Sequence, residues 1–203
     1  MVWVWTFSTW LSGSMMFSYW LGLLARRNLK AVGDGNPGGV NLLKAAGLRW
    51  GVAGIALDFM KGYLPLLLLV NNGAVQGYGL VPVAAAPVLG HAFSPFLKFK
   101  GGKAIAVTVG VWSALTGFEV SLVYALLLAL LLAIARLMQH GKPSTPEADG
   151  FQVVLGMMLV FIYLYVRKFP EVMLWCWLVI FMILAYTHRR EVSAFIGRKV
   201  KNL

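Results

Sequence analysis

Apolar runs long enough to cross a lipid bilayer follow one another along this chain, and nothing else in it restricts the fold as much. A crossing helix takes roughly 20 predominantly apolar residues, or about 17 at the short end. Runs of this kind occupy residues 3–24, 48–70, 78–97, 104–118, 120–138, 151–166 and 172–186. The fourth is short, and its turn into the fifth is tight. The pattern predicts an all-α, polytopic membrane bundle of about seven transmembrane helices, with residues 1–203 forming one domain. Composition agrees: 12% of the residues are charged and 60% hydrophobic, against about 25% charged in soluble domains.

The basic residues test this count. Seven spans with the N-terminus outside put alternate loops in the cytosol. Those loops hold Arg26, Arg27, Lys30, Lys44 and Arg49, then Lys98, Lys100 and Lys103, then Arg136 and Lys142. The cytosolic tail holds Arg189, Arg190, Arg198, Lys199 and Lys201. Only Arg167 and Lys168 fall outside, and Lys61 lies within a span. This is the positive-inside bias, and moving the count by one span destroys it. No Lys or Arg precedes the first apolar run, which is the reverse of a cleaved signal peptide, so that span is expected to be retained. The chain therefore reads as a multi-pass cell-membrane protein with its polar loops and C-terminus facing the cytoplasm.

Other classes are disfavoured. The net charge is +11, but it is clustered in loops and not spread over a polar face as in a nucleic-acid binder. The single Cys176 allows no internal disulfide and no zinc site. No metal or cofactor is expected. Pro143, Ser144, Thr145, Pro146 and Glu147 break helix and read as a surface loop.

Three polar clusters fall on the cytosolic side of this topology. Gly33, Gly35, Gly38 and Gly39 crowd one loop with Asp34, Asn36 and Asn41. Such a loop is either a flexible turn or a nest of inward N–H groups that binds an anion. The second cluster runs from Gly90 and His91 to Lys98, Lys100, Gly101, Gly102 and Lys103. Basic loops beside headgroups are common, but the glycine pair and His91 are surplus to that role. The third is His188, Arg189, Arg190 and Glu191 after the last span. One shared anionic site is more economical than three unrelated loops. Within the second span, Asp58 and Lys61 share a helix face and can pair; Lys61 either completes a structural ion pair or helps line the site.

These residues resemble the bacterial acyl-phosphate:glycerol-3-phosphate acyltransferases. That family carries G-S-G-N-x-G-A-T-N, G-H-x-F-P-x-F-x-x-F-K-G-G-K-G and H-R-x-N motifs in this order, with D-x-x-K-G between the first two. Here they stand at residues 33–41, 90–104, 188–191 and 58–62, so the resemblance spans nearly the whole chain. It implies transfer of a fatty acyl group from acyl phosphate to the sn-1 hydroxyl of glycerol 3-phosphate, giving lysophosphatidic acid and phosphate. Membrane lipids surround such an enzyme, and nucleic acid is no partner. The resemblance makes Gly33, Gly35, Asn36, Gly38 and Asn41 donors. It makes Lys100, Gly101, Gly102 and Lys103 phosphate holders. His91, His188 and Arg189 become positioning or proton-sharing groups, with Lys30, Lys61 and Glu191 lining the substrate. Catalysis then comes from orientation and oxyanion stabilisation. The H-x-x-x-x-D signature of other glycerolipid acyltransferases is absent: Phe96, Thr145 and Ser193 stand five residues after the three histidines.

The chain departs from the family pattern in ways that matter chemically. Asp34 stands for the family's serine, Val40 for threonine, Lys30 for arginine, Ser94 for proline, Ala104 for glycine and Glu191 for asparagine. A carboxylate about 4 Å from a phosphate charge costs roughly 1 kcal/mol in water and about 4 at an effective dielectric of 20. Either these carboxylates pair with cations, or the chemistry differs. Asp34 is then a candidate base for the acceptor hydroxyl. Rival readings are a different polyol acceptor and a non-catalytic anion-binding, lipid-binding or transport protein.

Overall fold

The computed structural model describes residues 1–138, 140 and 143–201, the side chains of 199–201 excepted. Lys142 lies outside the described residues, as do the side chains of Lys199 and Lys201. The described residues form helices and no strand: α1 Val2–Ser14, α2 Phe17–Leu24, α3 Gly39–Ala46, α4 Leu48–Asn71, α5 Leu80–Ala92, α6 Ile105–Thr116, α7 Glu119–Met138, α8 Pro146–Val166, α9 Glu171–Thr187 and α10 Arg189–Lys201.

Every apolar run becomes helix, but not every run becomes one long helix. Leu48–Asn71, Gly77–Leu97, Glu119–Met138 and Pro146–Val166 are long and apolar enough to cross a membrane. A fifth arises if α9 and α10, bent by 66° at His188, count as one. At 12 residues, α6 reaches only about 18 Å. The first run is broken: Met15 leaves helical geometry at φ −63°, ψ 125°, and α2 restarts two residues later. The expected loop at 143–147 is shorter than its composition suggests. Pro146 opens α8, where its missing N–H removes nothing, and the Thr145 side chain caps the Ala148 N–H.

Close helix crossings hold the bundle. The most extensive are α4 with α6 and α1 with α5, followed by α3 with α4 and α5 with α9. A β-carbon on Gly110 would run into the Phe59 carbonyl, and one on Gly62 into the Val107 carbonyl, so α4 and α6 meet backbone to backbone. Small residues serve this purpose between membrane helices, where apolar packing against a neighbour gains little over packing against lipid. Polar ties add direction. Tyr124 donates to the Val153 carbonyl at 3.0 Å, Trp177 to Met157 at 2.7 Å, and Ser113 to Ser121 at 2.8 Å. Trp112, Tyr124, Met157, Leu164, Ile180 and Leu184 fill the centre.

The helices alternate so that the three motifs share one end of the bundle. The loop before α3, the loop between α5 and α6, the N-terminus of α8 and the turn into α10 lie together, tied in part by Arg198 to Glu147 at 2.9 Å. Arg167 and Glu119 pair at the far end. Replacing Gly110 by alanine forces α4 and α6 apart. The variant is expected to lose about 1–3 kcal/mol, read as a lowered thermal midpoint in detergent.

Candidate active site

The first motif is a loop wound around one carboxylate. Gly33 and Gly35 take φ of +57° and +73°, the left-handed region open to glycine. Asp34 Oδ1 accepts from the Asn36 backbone N–H at 3.1 Å and from Asn41 Nδ2 at 2.8 Å. Asn41 Nδ2 also donates to the Asn36 carbonyl at 2.9 Å. The chain is thereby delivered to Gly38, where α3 starts without a side-chain cap. Its first N–H groups are left for another acceptor.

The second motif folds back on the end of α5. Gly101 N–H donates to the Ala92 carbonyl at 3.1 Å and Gly102 N–H to the His91 carbonyl at 3.0 Å. A β-carbon on Gly101 would overlap the His91 carbonyl, and one on Gly102 the His91 imidazole. Lys98, Phe99 and Ala104 all take positive φ, at 54°, 59° and 63°. For L-residues this conformation costs roughly 1–2 kcal/mol each. Ala104 caps α6, which also starts without a side-chain partner. Two helix N-termini, from α3 and α6, therefore open on one cavity. Each carries partial positive charge and bare donors suited to an anion.

Lys103 joins the motifs. Its Nζ lies 2.6 Å from Asp34 Oδ2 and 2.9 Å from Glu191 Oε1. The two carboxylates that depart from the family pattern thus meet on one lysine. Burial alone raises the Asp34 carboxyl, but the Lys103 and Asn36 donors outweigh it and hold Asp34 below its ordinary value. The same balance of burial and Lys103 lowers Glu191. Burial lowers Lys103, yet the two carboxylates leave it raised. Of the two sequence alternatives for Asp34, ion-pair partner or base, the geometry displays the ion pair, with Oδ2 on Lys103 and Oδ1 on Asn36 and Asn41.

Three spaces surround this clasp, and Asn36 and Lys103 line all of them. One, of about 290 Å³, runs from Gly38, Gly39, His91 and Ala104 into an apolar groove of Ile55, Phe59, Ile105 and Val109. The second, of about 150 Å³, lies between α3 and α8, with Gly33, Asn41, Lys44, Asp149 and His188 in its wall. The third is an open basin rimmed by Lys30, Gly35, Lys100, Gly101, Gly102, Arg189 and Arg190. Lys30 sits 5.8 Å above the Tyr19 ring, and Arg189 lies 3.9 Å above Tyr186.

His188 is buried. Its Nδ1 donates to the Leu184 carbonyl at 2.9 Å, which leaves Nε2 as an acceptor in the neutral ring. Nε2 and Glu191 Oε2 are buried without partners among the described residues. Lys61 does not reach the substrate spaces as expected. It is 4% exposed, and its Nζ donates to Asp58 Oδ1 at 2.8 Å and to the Met15 carbonyl and lies 2.8 Å from His91 Nδ1. These three neighbours leave it no hydrogen to offer a substrate. Sequence reasoning overlooked Lys44 as a site residue and counted it only for topology. Its position three residues after Asn41 on α3, hence on the same helix face, was the available signal. Asp149 was overlooked for lack of any motif around it. No cluster of His, Cys, Asp and Glu able to hold a metal occurs among the described residues.

Comparison with known proteins agrees with this architecture. The family model described as glycerol-3-phosphate acyltransferase matches residues 3–197. The chain is similar to glycerol-3-phosphate acyltransferase 1 of Thermotoga maritima, at 39% identity over 92% of this chain and 93% of the relative. It is also similar to the Aquifex aeolicus glycerol-3-phosphate acyltransferase, at 30% identity over 93% of each. Two crystal structures of the integral membrane glycerol 3-phosphate acyltransferase PlsY (YgiH) resemble it. The glycerol 3-phosphate form superposes with a TM-score of 0.81 at 28% identity, and the lysophosphatidic acid form with 0.82 at 27%. Each comparison covers 97% of this chain and 92% of the other.

The clasp gives a pH prediction. Asp34 and Glu191 titrate below their ordinary range, so their contribution is present above that range and is lost as pH falls through the lowered values. Lys103 is raised, so its contribution holds below the ordinary lysine value and is lost only as pH climbs past the raised one. The thermal midpoint should fall on acidification through the carboxylate range. The Asp34→Asn/Glu191→Gln protein should show a flatter profile there.

Proposed function

This chain belongs to the glycerol-3-phosphate acyltransferase family, and on that premise we propose that its acyl donor is acyl phosphate and that its motifs act at the cytoplasmic membrane surface. The protein is an integral membrane enzyme that transfers an acyl group to glycerol 3-phosphate in phospholipid synthesis. The observation that carries the finer reading is that Asn36 and Lys103 line both an apolar groove and two polar spaces. The groove suits a fatty chain. Its polar end, with two helix N-termini, suits the donor's phosphate. The adjoining spaces, with Lys44, Lys100 and Arg189, suit a small phosphorylated acceptor.

In this reading the acceptor hydroxyl attacks the acyl carbonyl carbon, and a tetrahedral oxyanion forms. The carbon–oxygen bond to phosphate then breaks. The hydroxyl proton passes to the departing phosphate, so no covalent enzyme intermediate is needed. His188 Nε2 accepts the hydrogen bond of a substrate hydroxyl and orients it. His91, Asn36 and the open N–H groups at the start of α3 donate to donor oxygens. Lys103 stands between the two substrates and stabilises charge shared by both. Asp34 and Glu191 hold its ammonium in position.

The reading is tested by measuring phosphate release and lysophosphatidate formation with acyl phosphate and with an acyl thioester. Only acyl phosphate should support turnover; equal use of the thioester would exclude it. Lys103→Ala should lower kcat/KM by about 100-fold, equivalent to roughly 2.7 kcal/mol of transition-state stabilisation. Unchanged activity removes the clamp assignment.

Seven crossings with the N-terminus outside complete the proposal, α1 with α2 forming the first and α6 a short one. The basic residues at the motif end support this orientation. In a Cys176→Ala background, Ser193→Cys should react with an impermeant thiol reagent only from the cytoplasmic side. Gln76→Cys should react only from the outside.

A further inference from the structure

A buried chain of polar groups stands behind His91, and the acyl-transfer mechanism above does not use it. Ser18 of α2 donates to Asp58 Oδ2 at 2.5 Å. Asp58 Oδ1 accepts from Lys61 Nζ at 2.8 Å, and Lys61 Nζ lies 2.8 Å from His91 Nδ1. Asp58, Lys61 and His91 are 2%, 4% and 4% exposed. A carboxylate this buried needs a counter-charge, so Lys61 is an ammonium. An ammonium has hydrogens and no lone pair. His91 Nδ1 must therefore accept, which puts the ring hydrogen on Nε2. A doubly protonated ring is excluded, because its Nδ1–H would point at the ammonium.

Nε2 is the end that matters for the site. It lies against Gly102, where any β-carbon would strike it, with Asn36 Oδ1 close by. It has no hydrogen-bond partner among the described residues, and His91 lines the same cavity as Asn36, Gly38 and Lys103. We propose that Lys61, itself held by Asp58 and Ser18, is a positioning residue that locks His91 as the Nε2–H tautomer and so presents a fixed neutral donor to a phosphate or acyl oxygen in that cavity. The inference rests on the proposed substrate reading for the identity of the acceptor oxygen. The locked tautomer rests on the hydrogen-bond geometry alone. Glycine at position 102 is part of the device, since a side chain there would cover the donor.

The test uses the full-length protein in detergent, labelled with ¹⁵N at its three histidines. His91 signals are identified by their loss in His91→Gln. The expected spectrum shows His91 with a bare Nδ1 and a protonated Nε2. Lys61→Met should abolish that preference and lower kcat by about 10-fold or more, the scale found when a partner fixing a histidine tautomer is removed. KM for glycerol 3-phosphate should change far less. Lys61→Arg, another donor-only cation, should restore the tautomer and part of the rate. If Lys61→Met does not fold because Asp58 is left unpaired, Asp58→Asn/Lys61→Met removes both charges and is read in the same way. A wild-type His91 protonated on Nδ1 overturns the proposal, as does an unchanged tautomer in Lys61→Met. Loss of tautomer without loss of rate overturns the catalytic display. None of these outcomes bears on donor choice, which the thioester comparison decides separately.

Discussion

A carbonyl released from its helix in a buried, apolar interior finds no water, and this chain releases two of them where α1 stops and α2 begins. Each would cost several kcal/mol if left bare in hydrocarbon. Ser94 donates to the Ser14 carbonyl at 2.7 Å, and Lys61 donates to the carbonyl of Met15. The break is thereby satisfied by α4 and by the start of the second motif. Ser12 returns the tie by donating to the Lys61 carbonyl at 2.9 Å. The break between α1 and α2, the buried ion pair and the His91 end of α5 are one mutually dependent unit. Replacing any one of them by an apolar residue leaves another group without a partner.

That unit sets the floor on which the motifs converge. With α5 fixed, Gly101 and Gly102 pair back onto its last carbonyls and carry Lys103 out over the cavity. The strained backbone at Lys98, Phe99 and Ala104 is held by this pairing and is concentrated where the chain must turn sharply to start α6. The open N-termini of α3 and α6 then meet Lys103 from two directions. Phosphate is held in such a place by oriented donors as much as by net charge. This explains how the site can carry Asp34 and Glu191. Each gives one oxygen to Lys103, and the shared ammonium offsets the charge that either would present to an incoming anion.

Much of this was legible in the chain itself. The runs at 48–70 and 120–138 became α4 and α7 to within a residue or so, because a continuous apolar stretch has no other way to satisfy its backbone. The clustering of Asn36, Lys103 and His188 followed from motif order and from counting crossings. Other features were opaque. The break at Met15 and Met16 follows Ser12, Gly13 and Ser14, but the donors that take up its released carbonyls, Lys61 and Ser94, lie on distant segments. Lys61 read either as a structural partner of Asp58 or as a lining group of the site, because an intramembrane charge often signals function. Its three acceptors come from three separate segments. Asp34 read as either an ion-pair partner or a base, because the linear chain does not show that Lys103, Asn36 and Asn41 lie against it.

Sequence alone determined the all-helical membrane class, the common end for the three motifs and the residue types available for anion binding. Those follow from local rules: apolar length, charge bias and the chemistry of glycine, lysine and histidine. Tertiary structure alone decided which cation faces which carboxylate, which histidine nitrogen is bare, and which polar side chains serve the backbone instead of the substrate. Hydrogen bonds and ion pairs act over about 3 Å, and the residues that make them here lie as far apart in the chain as Asp34 and Glu191.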